Sequence, residues 1–74
     1  SDRVLTSPTA LRQVDRLLNE VASWTPAQRH LWWARLGGAK WKDLYIMTGR
    51  KLTRRTLMII YDELLLRVAR ALMA

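Results

Sequence analysis

Apolar residues recur at helical spacing in four stretches of this chain, and turn residues separate them. Leu11, Val14, Leu17, Leu18 and Val21 follow one another at intervals that keep them near one helix face. Ser7-Pro8 precedes them, a strong helix start with serine as N-cap and proline at the first helical position. The spacing predicts a structural helix over 8–23, with Arg12, Asp15, Arg16, Asn19 and Glu20 on its polar side. Residues 1–6 are expected to fray.

Thr25-Pro26-Ala27-Gln28 is a second start signal. Threonine can cap, proline opens the helix, and Gln28 can return the bond as a capping box. A second helix over 26–36 should stop at Gly37-Gly38, where glycine can turn left-handed. Leu31, Ala34 and one or both of Trp32 and Trp33 face inward. Adjacent side chains point about 100° apart on a helix. One tryptophan should therefore fill the core while the other packs against the first helix or lies at an edge.

The third stretch, Trp41, Leu44, Tyr45 and Met47, predicts a helix over 40–48 with no good N-cap residue. Trp41 is expected to anchor it against the first two helices. Gly49 and the basic run Arg50-Lys51-Leu52 follow, and Thr53 can cap a fourth helix reaching about residue 73. Leu57, Ile60, Tyr61, Leu64, Leu65, Val68 and Leu72 form its long inward stripe. The expected architecture is a single all-α domain over 1–74, with four helices.

The pairing of the third and fourth helices changes this from a packing pattern into a functional one. A helix, a glycine turn and a capped helix that opens with cations is the grammar of a helix-turn-helix reader of DNA. The charge distribution agrees with it. Residues 29–55 hold eight cations (Arg29, Arg35, Lys40, Lys42, Arg50, Lys51, Arg54, Arg55) and one anion, Asp43. The other residues balance five cations against five anions, so the whole net charge of +7 sits in the middle of the chain. Such a region suits a polyanionic partner.

Each cation has an expected task. Arg54 and Arg55 would enter the major groove, where arginine can bind guanine in a bidentate way. Arg50 and Lys51 on the turn would hold the backbone, as would Lys40 and Lys42 from the third helix. Thr53, Thr56 and the amides that open the fourth helix would hold phosphate oxygens and set the register. Met58 and Ile59 point outward on the same helix. They would contact thymine methyls or form a partner-binding patch. Asp62-Glu63 would repel phosphates and so mark the far limit of the reader.

Other classes find little support. The chain has one histidine, His30, and no cysteine, so no zinc site can be built around it and no disulfide framework exists. Neither metal nor cofactor is expected. The five carboxylates of the helical part are scattered, the hydroxyls lack a plausible base, and no phosphate-cradling glycine loop is present, so an enzyme is not expected. No apolar run approaches the roughly 20 residues that cross a bilayer. An interfacial membrane helix would flank its stripe with Lys and Arg throughout. The fourth helix instead gathers its cations at one end. Lack of cysteine fits a reducing compartment. The Ser1-Asp2 opening, without an initiator Met, suggests a piece of a longer protein.

The order of residues also resembles known regulators. TPAQRHLWWARLGGAKWKDLYIMTGRKLTRRT…LLLRVARAL resembles region 4 of bacterial sigma factors. More closely, it is similar to a helix-turn-helix family of alphaproteobacterial phages and gene transfer agent activators. Trp33-Ala34-Arg35, Gly38, Trp41-Lys42, Gly49, Arg55-Thr56 and Val68-Ala69 carry that likeness, which spans roughly residues 10–72. The chain departs from the pattern in its Arg50-Lys51-Leu52 insertion. The resemblance implies a bacterial, cytoplasmic, nucleoid-associated activator of phage-like genes that binds promoter DNA. A protein-interaction module docking on RNA polymerase is the alternative. One short recognition helix binds weakly, so a dimer or a second DNA-binding domain is expected.

Overall fold

The computed structural model describes residues 7–74, and its regular structure is four helices: α1 (Pro8–Ala22), α2 (Pro26–Leu36), α3 (Trp41–Met47) and α4 (Arg54–Met73). The protein is a small all-α domain. The expected fraying of residues 1–6 lies outside the described residues.

Three starts follow the capping residues. The Ser7 hydroxyl accepts the Ala10 N–H at 3.1 Å. The Thr25 hydroxyl accepts the Gln28 N–H at 3.2 Å, and the Gln28 side chain accepts the Thr25 N–H at 2.9 Å. That reciprocal pair satisfies two of the amide groups a helix start leaves unpaired. Thr53 does the same for α4, accepting the Thr56 N–H at 3.2 Å. The α3 start has no side chain at the cap to accept a bond. Instead Asp43, in its first turn, accepts the Lys40 N–H at 3.4 Å. This helix is shorter than its apolar pattern suggested, seven residues against an expected 40–48.

Two stops share one geometry. After α2, Gly38 turns left-handed at φ 96°, Gly38 N–H donates to Arg35 O, and Ala39 N–H donates to Ala34 O. After α3, Gly49 turns at φ 69°, Gly49 N–H donates to Ile46 O, and Arg50 N–H donates to Tyr45 O. Both are Schellman closures, in which a left-handed residue lets the last carbonyls find amides.

The core is an aromatic chain with leucines around it. Trp24, between α1 and α2, meets Trp32 of α2 edge-on at 5.5 Å. Trp32 meets Tyr61 of α4 at 5.6 Å, and Tyr61 meets Trp41 of α3 at 5.7 Å. Aromatic pairs of this kind contribute about 0.5–1.5 kcal/mol each beyond area burial. Val21, Leu31, Leu44, Leu57 and Leu64 complete the buried set. Trp41 thus anchors α3 against α4 rather than against α1, and it is half-buried. Of the adjacent pair, Trp32 is 6% exposed and Trp33 57%, the edge position one of the two had to take.

Three parts of the expected core lie outside it. Leu11, Val14 and Leu18 of α1 are exposed, as is Leu65 of α4. Periodicity identifies an apolar face, but only as much of it is buried as neighbouring helices can cover. α1 packs chiefly on α4, and that packing reaches Leu17 and Val21. Met47, expected on the inner face of α3, is also exposed. The Trp24–Trp32–Tyr61 chain puts the end of α1 beside Tyr61, and Leu17 and Val68 both pack on the core. α1 therefore runs back along the rear half of α4, antiparallel to it.

Candidate nucleic-acid interface

Of the eight cations in residues 29–55, two are committed to the fold. Arg29 donates to the carbonyls of Trp24, Val21 and Ala22, closing the end of α1 where the helix dipole favours a cation. Arg35 donates to Ala39 O at 2.8 Å and lies 4.5 Å from the centre of the Trp41 ring. It thus joins the α2 stop to the first residue of α3. Sequence position alone did not separate these two from the rest.

The other six, Lys40, Lys42, Arg50, Lys51, Arg54 and Arg55, are exposed. Among the described residues, none of their side chains makes a hydrogen bond or an ion pair. Their charges are therefore uncompensated locally, which favours an anionic partner.

Three of the six converge. Lys42 of α3, Arg50 of the turn and Arg54 of α4 surround a shallow hollow of about 330 Å³, floored by Tyr45 and Ile46. Lys40, Lys51 and Arg55 lie outside that hollow. So do Thr53, Thr56, Met58 and Ile59. On α4, Arg54 and Met58 are one turn apart, as are Arg55 and Ile59, so each arginine has an exposed apolar neighbour at i+4. Met58 and Ile59 are exposed, as expected from their outward positions.

The turn aims these groups. Thr48 to Thr53 span six residues between α3 and α4, longer than the three or four of a compact helix-turn-helix. Arg50 has φ 62° and follows Gly49 at φ 69°. A left-handed non-glycine residue costs roughly 1–2 kcal/mol. The chain places an arginine side chain at a backbone position that glycine would fill with less strain. The Thr53 hydroxyl, expected on phosphate, accepts the Thr56 N–H and donates to the Thr56 hydroxyl at 3.0 Å. The Thr56 hydroxyl keeps its own proton to donate outward.

His30 lies apart from these cations. It lines a separate apolar hollow of about 330 Å³ with Leu31, Leu44, Met47, Leu52 and Leu57. Leu52 is the turn residue that closes it. Among the described residues no group of acids and histidine could hold a metal ion, and no helix is long and apolar enough to cross a membrane. Comparison with protein-family models, curated proteins and solved structures finds no match for this chain.

Proposed function

We propose that this domain binds double-stranded DNA in transcriptional control, with α3, the six-residue turn and α4 acting as a helix-turn-helix. One observation carries the reading. Lys42, Arg50 and Arg54 come from three successive elements, surround one hollow, and have no acidic partner among the described residues. A phosphate lying there would meet three cations at once. Arg55 at the start of α4 would then face base edges, with Met58 and Ile59 against thymine methyls. Lys40 and Lys51 extend the grip on the backbone to either side, and the Thr56 hydroxyl donates to a phosphate oxygen. Activation of phage-like or gene transfer agent promoters is the role that the sequence resemblance supports.

An amide-shift titration with a short duplex tests this. The largest changes should fall on Lys42, residues 49–51 and the first turn of α4. Changes confined to α1 would contradict the reading.

A second reading, docking on RNA polymerase or another regulator, is favoured by the exposed Met58 and Ile59 of α4 and the exposed Trp33 of α2. Under it, Met58→Asp abolishes partner capture and leaves duplex affinity near normal.

A further inference from the structure

Tyr45 differs from the other residues around the cationic hollow in being held by the fold. It is half-buried, whereas Lys42, Ile46, Arg50 and Arg54 are exposed. Its ring packs on the buried core and also lines the hollow. Its carbonyl accepts the Arg50 N–H at 3.0 Å and the Thr48 hydroxyl at 2.8 Å. Those two bonds tie Tyr45 to the stop of α3 and to the left-handed position that carries Arg50.

The hydroxyl at the end of that ring has no task inside the protein. It makes no hydrogen bond among the described residues. Nor is it sealed from water, because no buried side-chain oxygen or nitrogen among them lacks a partner. Packing accounts for the ring, which phenylalanine would supply equally well. Packing does not account for a hydroxyl beside three uncompensated cations.

Resting on the reading of this hollow as a phosphate seat, we propose that the Tyr45 hydroxyl is its fourth donor. It gives a hydrogen bond to a non-bridging oxygen of the DNA phosphate that Lys42, Arg50 and Arg54 surround. The chemistry of the side chains divides the work. The three cations supply charge, but each sits on a long stem that loses rotamer freedom on binding. A phenol donates through a single O–H on a rigid ring that is cheap to order, and here the core already holds that ring. The cations therefore draw the backbone in, and Tyr45 fixes where one phosphate stops. A phosphate fixed in this way sets the register of α4 on the duplex.

Duplex affinity of Tyr45→Phe, measured over a range of salt, tests this. The change removes an oxygen that has no partner in the fold, so thermal unfolding should match wild type. Affinity should fall roughly 3- to 10-fold at each salt concentration. The slope of log affinity against log salt should stay at its wild-type value, because a neutral donor releases no counterion. Lys42→Ala should instead lower that slope by roughly one unit. Tyr61→Phe, in the core, should change neither affinity nor slope. Wild-type affinity in Tyr45→Phe overturns the proposal, and the phosphate seat still stands if Lys42→Ala weakens binding. A slope that falls together with affinity in Tyr45→Phe also overturns it, since the hydroxyl would then act through the cations. A wild-type chain that binds no duplex overturns both readings. If Tyr45→Phe loses stability, the Cζ chemical shifts of the wild-type tyrosines decide. Added duplex should move the Tyr45 signal and not that of Tyr61, and an unmoved Tyr45 signal overturns the proposal.

Discussion

The guanidinium of Arg35 lies 4.5 Å from the centre of the Trp41 ring and donates to the Ala39 carbonyl between them. An arginine in the most basic part of the chain thus works as a clasp between α2 and α3. Arg35→Ala should lower stability by about 1–2 kcal/mol, because it removes a charged hydrogen bond and a cation–π interaction together. Arg35→Lys should recover part of that, since an ammonium keeps the charge but not the planar stack. Both variants, measured while folded, should bind duplex close to wild type. Lys42→Ala should do the reverse, keeping stability and losing affinity. Urea unfolding beside fluorescence anisotropy separates the two outcomes.

Arg50 offers a sharper separation, because its backbone and its side chain favour different residues. At φ 62°, glycine relieves a left-handed strain of roughly 1–2 kcal/mol but gives part of it back as unfolded-chain entropy. Arg50→Gly should therefore leave stability unchanged or raise it by up to about 1 kcal/mol, while duplex affinity falls. Loss of stability would mean that the Arg50 side chain supports the fold. Gly49→Ala, at φ 69° with open space around it, should instead destabilise by about 1 kcal/mol or more through backbone strain alone.

Glu20 accepts the indole N–H of buried Trp24 at 2.7 Å, a polar anchor at one end of the aromatic chain. Glu20→Ala leaves that N–H without its acceptor and should cost about 1–3 kcal/mol. Glu20→Gln retains an acceptor oxygen and should cost less. Thermal unfolding of both variants, together with tryptophan emission, checks the order.

Local chemistry was readable in the sequence at some of these positions and not at others. Ser7, Thr25 with Gln28, and Thr53 announced their helices because capping is settled within four residues. Gly38 and Gly49 announced the stops for the same reason. Trp24 carried no signal because it sits between α1 and α2, outside any helical period, yet it is 3% exposed. Leu11, Val14 and Leu18 carried the right period, but a period cannot say whether another helix covers the face. Arg29 and Arg35 counted as free charges in the sequence because their carbonyl partners depend on how the turns fold. The convergence of Lys42, Arg50 and Arg54 was implied only as a shared region of charge. It took the left-handed pair Gly49-Arg50 to bring the three around one hollow.

Thr53 tests whether the start of α4 is held by its cap. Thr53→Ala removes the acceptor for the Thr56 N–H and should cost about 0.5–2 kcal/mol, with Thr53→Ser or Thr53→Asp restoring most of it. Hydrogen exchange at Thr56 should quicken in the alanine variant alone.

The most direct measurement is duplex affinity against salt, for the wild-type chain and for the Lys42→Ala, Arg50→Ala, Arg54→Ala triple variant. All three side chains are exposed, so the variant should keep its helical circular dichroism. Wild-type affinity should fall steeply as salt rises, because neutralised phosphates release counterions. The triple variant should bind more weakly at low salt, with a slope shallower by roughly one unit for each phosphate it no longer neutralises. A folded triple variant with wild-type affinity and an unchanged slope would contradict the account.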